Sequence, residues 1–459
     1  MDAVILSRLQ FALTAMFHYL FPPLAIGVGG FLVFWEAKYL VTKDPLYEKA
    51  TKFWTKIFAL NFVLGVASGI VLEFQFGTNW AVYSRYVGDI FGSALAAEGI
   101  FAFFLESSFL ALLVFGWDRV SPRMHFLATL LVFLGAVFSA FWIIVAVSWQ
   151  HTPAGFVLRE VWTPTGPIKR AELTDFWSAV FNPSMVDRLI HVLLGAFIAG
   201  GFFIMSISAY YLINQRHAPM ARKCFASALI ATAIASLAML ISGDSSARMI
   251  ARYQPAKLAA MEGLFRTTEG GTPIQVFGIP DTNAKTVRFN IQMPGVLSFL
   301  AHRDFDLPVA GLDQFGIDVP PVELPFFAFH LMVALGVYFI ALTLFALWRL
   351  RKGTLFQERR LLWIFVYSVI GPLVANQLGW VATEVGRQPW IVYHQLRTSE
   401  AVSRNLAASQ VAGSFAVFCL IYLALFALWV YLLNEKIQRG PDSTLAPDRT
   451  FRVFDDRRS

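Results

Sequence analysis

Residues 126–147 read FLATLLVFLGAVFSAFWIIVAV and carry no charged side chain anywhere along the run. A helix of this length, at about 1.5 Å per residue, crosses the roughly 30 Å hydrocarbon core of a bilayer. The segment must be helical, because lipid offers no hydrogen-bond partner to the backbone groups of an extended chain. The stretch therefore predicts a transmembrane helix.

The composition extends this conclusion to the whole chain. Of 459 residues, 57% are hydrophobic and 15% are charged, against about 25% charged in soluble domains. This balance excludes a soluble globule, a disordered chain and collagen, and two cysteines are too few for a disulfide-stapled secreted domain. We interpret the net charge of +7 as basic loop residues that set membrane orientation, and we expect no nucleic-acid partner.

Apolar blocks of similar length recur along the sequence. They predict an all-α, polytopic membrane protein with about nine transmembrane helices and one long external loop between helices 6 and 7. The predicted spans are residues 11–35, 55–73, 91–115, 126–147, 189–213, 224–242, 325–348, 361–380 and 410–433.

These spans divide the chain into four parts. Residues 1–242 hold helices 1 to 6, residues 243–324 form the long polar loop, residues 325–435 hold helices 7 to 9, and residues 436–459 form a polar tail. Lys and Arg concentrate in the loops that follow odd-numbered spans. The positive-inside rule then places those loops and the C-terminus in the cytoplasm, with the N-terminus outside.

Several ionisable side chains fall inside the predicted spans. Each costs several kcal/mol there unless it is paired or hydrated, so each is a candidate for function. Hydrogen bonding to a neighbouring helix is the alternative for His18, Glu98 and Glu106. The candidates are His18, Glu98, Glu106, His191 and Glu384, with Glu73 and His330 nearer to the ends of their spans.

A histidine and a methionine lie on the same side of the membrane in this topology. His191 opens span five and Met332 lies inside span seven. Alone, each is most simply core filler or a side chain that reaches for the interface. Together, at a similar depth, they could bind a haem iron from both faces, a ligation that raises its potential.

Two carboxylates lie along span three. Glu98 and Glu106 are eight residues apart, which on an ideal helix separates them by about 80° and roughly 12 Å. Such a pair could pass protons through bound water. The alternative is hydrogen bonding to Ser107, Ser108 or another helix.

The densest cluster of polar and aromatic residues is GWVATEVGRQPW at 379–390. Trp380 and Glu384 share a face if the helix continues that far, because they are four residues apart. Arg387 can then neutralise a carboxylate or bind a propionate with two hydrogen bonds. An interfacial aromatic belt would explain Trp390 but not the two charged residues.

The positions of these groups suggest a direction for electrons and protons. Most candidate ligands fall in the outer half of the bilayer, on the side of the long loop. A haem held by one weak or exchangeable ligand has a face open for O₂, whereas one held by His and Met only carries electrons. We therefore expect electrons to enter from a membrane-dissolved donor outside, while protons for O₂ reduction come from the cytoplasm past Glu106 and Glu98. This arrangement would separate charge without a pump.

Six motifs in order resemble subunit I of the cytochrome bd-type quinol oxidases, over nearly the whole chain. The resemblance implies that the chain binds haem and belongs to a quinol:oxygen oxidoreductase, which acts as a respiratory terminal oxidase. The motifs are LSRLQFALTAM at 6–16, EFQFGTNW at 73–80, EG with FFLES at 98–107, KLAAME at 257–262, FGIPD at 277–281 and GRQPW at 386–390.

The resemblance implies four haem-iron ligands. His191 and Met332 would hold a low-spin haem b that receives electrons from quinol. His18 would serve the O₂-reducing haem, which is haem d or a further haem b, and Glu384 would serve a high-spin haem b. The pairing of His18 and Glu384 with the two high-spin haems is open.

The resemblance also implies roles beside the haems. Glu98 would lie close to the high-spin pair, and Glu106 with Ser107 would lie on the proton path. Trp380 would lie between haems as an electron-transfer contact, and Arg387 would pair with a propionate.

On the long loop, the resemblance implies that Lys257 and Glu262 bind ubiquinol or menaquinol and support its oxidation. They are five residues apart, so on an ideal helix they would not share a face. Spacing alone would not have predicted a joint site.

The family implies a second membrane subunit of similar size, often a further small single-helix subunit as well, and a location in the bacterial cytoplasmic (inner) membrane. His330 departs from the family, since many relatives have Arg two residues before the methionine ligand. The loop is of the short quinol-loop form, and the sequence resembles the cyanide-insensitive branch.

An ion-coupled transporter and a haem electron carrier are the two alternatives to the oxidase. An ion-coupled transporter would also use intramembrane carboxylates, but the sequence shows no inverted repeat and a transporter gives no use for His191 with Met332. A haem electron carrier that no longer reduces O₂ would not need the four ionisable residues His18, Glu98, Glu106 and Glu384.

Overall fold

A computed structural model describes residues 2–163 and 166–441 of the chain. The predicted polar tail at 436–459 lies outside these residues from position 442 onward. Up to Arg439 its first residues are still part of the last helix.

The described residues contain nine helices, or helix pairs, that are long and apolar enough to cross a membrane. This confirms the polytopic helical class. The candidate spans are Ala3–Thr42, Pro45–Thr78, Ala81–Phe115, Pro122–His151, Met185–Ile213, Ala218–Tyr253, Glu323–Arg351, Arg359–Val385 and Ala408–Arg439.

The α-helices are numbered in chain order, with a π-helical turn at Gly99–Phe103 and 3₁₀ turns at Leu312–Gln314, Leu355–Gln357 and Thr398–Glu400. They are α1 Ala3–His18, α2 Phe21–Thr42, α3 Pro45–Thr78, α4 Ala81–Glu98, α5 Phe104–Phe115, α6 Pro122–His151, α7 Phe176–Val180, α8 Met185–Ile213, α9 Ala218–Tyr253, α10 Pro255–Glu262, α11 Val296–His302, α12 Glu323–Arg351, α13 Arg359–Ser368, α14 Ile370–Val385 and α15 Ala408–Arg439.

The helices are longer than hydropathy predicts, because polar residues continue them beyond the apolar run. Helix α9 was expected to end at 242 but runs to Tyr253. Asp244 lies inside this extension and pairs with Arg248 one turn later and with Arg303 of the following segment. At the other end of a helix, the Asp44 carboxylate caps α3 by accepting from Leu46 N at 2.9 Å.

Within the described residues, three of the candidate spans are not continuous α-helices. Hydropathy does not predict these interruptions. The first breaks after His18, and α2 restarts at Phe21 with proline in its first turn, where no N–H donor is needed. The eighth breaks at Val369. The third passes through the π-helical turn at Gly99–Phe103, so the ideal-helix angle between Glu98 and Glu106 does not apply.

Within residues 2–163 and 166–441, three two-stranded antiparallel hairpins lie between the helices, where the sequence predicts only α-helices. They leave the helical class unchanged because all three lie outside the candidate spans. They are β1 Phe156–Thr163 with β2 Gly166–Leu173, β3 Ile274–Asp281 with β4 Thr286–Met293, and β5 Trp390–Val392 with β6 Leu396–Arg397.

The main hydrophobic core lies among α2, α3, α8, α9 and α13. It is filled by aromatic side chains such as Trp35, Trp54 and Phe202. Helices α2 and α8 cross at Gly27 and Gly200, where a Cβ on either glycine would collide with the other helix. Small residues allow this close approach, which is how helices gain packing energy in lipid.

The connection between α9 and α12 is a folded unit and has its own small core. Leu258 of α10, Val287 of β4 and Leu297 of α11 pack against Phe326 of α12. This packing holds α10, with Lys257 and Glu262, at the end of the helical bundle.

Candidate functional site

His18 is the last residue of α1, and its ring lies against α3. Its Nδ1 is 3.1 Å from Ser68 Oγ, and Ser68 donates its own proton to Leu64 O at 2.7 Å. Nδ1 is therefore the donor, which leaves Nε2 as the nitrogen with a lone pair for a metal. Gly69 lies beside the ring, and a Cβ there would be 3.1 Å from His18 Cε1.

His191 and Met332 lie on two helices that both pack against α14. His191 Nδ1 is 3.2 Å from Ser242 Oγ of α9. The Met332 Sδ lies close to α14 at Gly379. A Cβ added to this glycine would be 3.2 Å from the sulfur. The imidazole and the thioether are donor groups of the kind that hold a haem iron.

Helix α14 continues to Val385, so Trp380 and Glu384 are one turn apart on the same helix. The Trp380 ring meets the Tyr19 ring edge to face, with centroids 5.2 Å apart. Glu384 keeps 35% of its side chain accessible inside the bundle and accepts from Arg387 Nη2 at 2.5 Å.

A histidine that sequence reasoning missed links Glu384 to the loop. His151, the fully buried last residue of α6, has Nε2 3.0 Å from Glu384 Oε1 and Nδ1 3.0 Å from Lys257 Nζ. A carboxylate accepts and does not donate, so His151 donates from Nε2 to Glu384 and accepts at Nδ1. The order of donation is therefore Lys257 to His151 to Glu384. The predicted span ended at 147, four residues before this histidine, and only its partners in space reveal it.

Lys257 is itself buried, and its Nζ also donates to Gln254 Oε1 at 2.7 Å. Burial lowers the pKa of the Lys257 ammonium well below its ordinary value, with repulsion from Arg188 acting in the same direction. Its hydrogen bonds are made to a neutral histidine and an amide, so the cation has no direct carboxylate partner among them.

Glu262 lies at the other end of α10 and faces a different neighbour. Its carboxylate accepts from the backbone N–H of Gln275, and burial raises its pKa to about 8. Its Oε2 is buried without a hydrogen-bond partner among the described residues. Among the described residues no hydrogen bond or ion pair joins Lys257 to Glu262, although one short helix carries both.

Arg387 offers donors that the described part of the chain does not use. Its side chain is 5% exposed, and Nε and Nη1 have no partner within that part. Leaving such buried donors unpaired is costly. A carboxylate such as a porphyrin propionate would satisfy them, so this pocket and the His, Met and Glu donors fit haem.

Glu98 and Glu106 face the same helix, although the π-helical turn lies between them. Glu98 Oε1 accepts from Ser139 Oγ at 2.6 Å. The side chain of the buried Glu106 lies directly against Gly135, where an added Cβ would collide with Glu106 Cγ. Gly135 is one turn from Ser139 on α6. The structure does not join Ser107 to them: its side chain is exposed and bonds to Phe104 O at 3.3 Å.

A second buried polar group, also missed from the sequence, joins three helices near the other end of α6. Glu36 Oε1 is 2.6 Å from His125 Nδ1, and its Oε2 accepts from Thr129 Oγ1 at 2.5 Å. His125 Nε2 lies 3.1 Å from Leu113 O. Glu36 and His125 lie outside or at the edges of the predicted spans, so composition did not single them out.

His330 ties α12 to the loop. Its Nε2 lies 2.8 Å from Gln275 O of β3, and its Nδ1 lies 2.8 Å from Phe326 O of its own helix. Its position near a span end made it a weak candidate from the sequence, and the structure shows it as the contact between a membrane helix and the hairpin.

Comparisons with known proteins agree over nearly the whole chain. Residues 6–441 match the family described as Cytochrome bd terminal oxidase subunit I. The chain is 37% identical to Cytochrome bd ubiquinol oxidase subunit 1 of Bacillus subtilis, covering 96% of this chain and 95% of that protein. It is 34% identical to Cytochrome bd-II ubiquinol oxidase subunit 1 of Escherichia coli, covering 96% and 98%. Its fold is similar to the bd oxidase from Geobacillus thermodenitrificans, with a TM-score of 0.86 at 27% identity, covering 95% and 99%.

Proposed function

Because the chain belongs to the cytochrome bd terminal oxidase subunit I family, we propose that it oxidises quinol at the loop and delivers the electrons to O₂ within the bundle. Family membership makes it one subunit of a quinol:oxygen oxidoreductase that carries haem, works with a second subunit and lies in a bacterial inner membrane. The ligand residues, the quinol-binding residues and the directions of electron and proton transfer are our proposal.

We assign the haem ligands to the donors described above. His191 and Met332 hold the low-spin haem b, His18 the O₂-reducing haem and Glu384 the other high-spin haem. Arg387 binds a propionate with the guanidinium donors that the protein leaves unpaired. The haems supply one-electron transfer and O₂ binding, while the protein provides ligands, propionate contacts and protons.

At the loop, we assign quinol binding to α10. Quinol oxidation releases protons, and Glu262 offers an unpartnered carboxylate oxygen to accept one. Lys257, held by Gln254 and His151, donates to a quinol oxygen and orients the ring.

Inside the bundle, Glu106 passes protons to Glu98. Both carboxylates lie against α6, and Glu98 is hydrogen-bonded to Ser139 there. With the C-terminus in the cytoplasm and the N-terminus in the periplasm, protons enter from the cytoplasm and quinol protons leave on the loop side. Charge is then separated without a pump.

The observation that carries this proposal is the donor chain from Lys257 through His151 to Glu384. It connects the loop directly to a candidate haem ligand. The test is Lys257→Met in the purified two-subunit complex, compared with Lys285→Met at an exposed turn of the same loop.

We expect Lys257→Met to raise the apparent KM for quinol several-fold while haem content stays unchanged. Lys285→Met should behave as the parent enzyme. If both variants keep parental kinetics, the quinol site is not at α10.

A further inference from the structure

The β3–β4 hairpin presents large apolar side chains that the described residues do not cover. Phe277, Ile291 and Met293 are 56%, 61% and 51% exposed. Phe277 and Ile291 are directly paired across the hairpin, so their side chains lie on one side of it. Met293 joins them because it is two residues from Ile291 along β4. We call these three residues the apolar face of the hairpin.

At the end of β4 the opposite side is polar and also exposed, whereas Val287 near its start is buried in the core of the loop. Asn290 and Gln292 alternate with Ile291 and Met293, and all four are accessible. A strand segment with one apolar and one polar side, both exposed, is suited to a boundary between lipid and water. It is not suited to being surrounded by water, where the apolar face would be a liability.

A hydrogen bond fixes the depth of the hairpin. Gln275 O of β3 is 2.8 Å from His330 Nε2, and His330 lies seven residues, or about 10 Å, into α12. Helix α12 has 29 residues and is thus about 43 Å long, which exceeds the roughly 30 Å hydrocarbon core by about 7 Å at each end if centred. Gln275 therefore lies near the edge of the hydrocarbon, at the level of the lipid headgroups.

The side chains of α12 at this level are themselves apolar and exposed. Phe327 and Leu331 occupy the same turns as His330 and are 47% and 51% exposed. Both are exposed apolar positions in a candidate membrane-spanning helix. The hairpin is thus attached to a part of α12 whose exposed side chains are of the kind that lipid tolerates.

The same residue that anchors the hairpin also contacts the proposed quinol site. The Gln275 backbone donates its N–H to Glu262 and directs its C=O to His330. The hairpin therefore begins between Glu262 and the membrane helix.

We propose that the apolar face of the hairpin lies in the leaflet on the loop side of the membrane, at the boundary of headgroups and acyl chains. There it contacts lipid and forms the edge over which quinol passes from the bilayer to Glu262. The second part rests on the proposed function of Glu262, whereas the insertion into lipid does not.

The insertion is tested by fluorescence quenching in the reconstituted two-subunit complex. With Cys224 and Cys419 replaced by alanine, Ile291→Cys carries a small environment-sensitive fluorophore, and Asn290→Cys on the polar side is the matched control. The quenchers are a phosphatidylcholine with a nitroxide near the headgroup end of its acyl chain, and aqueous iodide. The haem spectrum of each unlabelled variant checks that it folds.

We expect the nitroxide lipid to quench the label at 291 several-fold more than the label at 290, with the opposite order for iodide. Equal iodide quenching at both positions would mean that the face is in water and would overturn the proposal. Protection of position 291 from both quenchers would mean that a protein surface covers it, which would also overturn the proposal.

The passage of quinol is tested by the double variant Ile291→Ser, Met293→Ser, with Asn290→Ser as control. We expect a several-fold rise in KM for a long-chain quinol supplied in the bilayer, with unchanged kcat and an unchanged KM for a short-chain soluble quinol. Equal changes for both quinols would assign the hairpin to the site itself and would overturn its role in access. The proposed role of Glu262 fails separately: if quinol is not oxidised there, Glu262→Gln will keep parental quinol kinetics while the lipid quenching at position 291 remains.

Discussion

At the scale of single residues, the sequence predicts which side chains are costly in lipid but not what they contact. His18, Glu98 and His191 stand out because hydrocarbon does not tolerate them unpartnered. His151 does not stand out, because it lies beyond the apolar run, yet it joins Lys257 to Glu384. Such a link depends on three distant segments and leaves no local pattern to read.

Met332 is the residue with the sharpest spectroscopic consequence. Replacing it with leucine keeps the volume but removes the thioether that we assign to the low-spin haem, so the iron should become high spin. The reduced-minus-oxidised spectrum of Met332→Leu measures this. Met205→Leu, a buried methionine elsewhere in the bundle, should leave the spectrum unchanged, and an unchanged spectrum in Met332→Leu would remove Met332 from the ligands.

Glu262 gives a prediction for pH. Its pKa is raised to about 8 by burial, so the carboxyl group is mostly protonated at neutral pH and becomes able to accept a proton as pH rises. We therefore expect kcat/KM for quinol to increase with pH through about 8. Glu262→Gln should lower kcat/KM by about 10²-fold or more, the usual effect of losing a general base, and should remove this rise.

The control for that pH profile is Glu269→Gln, at an exposed position of the same loop. It should reproduce the parental profile. A profile that persists in Glu262→Gln would place the proton acceptor elsewhere.

At the scale of elements, composition predicts that the spans exist, and local chemistry decides where they end. The span at 126–147 carries no charged residue, so the sequence predicts its presence, but it does not predict the cap at Ser121 or the end at His151. The π-helical turn at Gly99–Phe103 lies within an uninterrupted apolar run. Hydropathy cannot distinguish it from α-helix, because the two differ in hydrogen bonding and not in composition.

The crossing of α2 and α8 is a contact between elements that is sensitive to side-chain size. Gly200→Val would place side-chain atoms inside the backbone of α2, so we expect a loss of about 1–3 kcal/mol, the usual cost of overpacking. Thermal loss of the haem absorbance measures it. Gly413→Val on α15, where a Cβ meets no atom within 4 Å, is the matched control, and equal thermal stability of the two variants would show that the crossing tolerates separation.

At the scale of the whole molecule, the account assigns protons and quinol to opposite sides of the membrane. Glu106→Gln should slow O₂ uptake and the associated proton uptake from the cytoplasmic side, with haem content intact, because the amide cannot relay a proton. Glu160→Gln on the exposed part of β1 is the control. Full turnover in Glu106→Gln would end the proposed relay.

Our central claim is that this chain's own helices hold all the haems of the oxidase. The most direct measurement is a pyridine haemochrome assay of the purified two-subunit complex, which gives haem type and number together. The account predicts three haems for each copy of the chain, with a proportional loss in variants of His18, His191 and Glu384. A colourless preparation, or a full haem complement in all three variants, would contradict it.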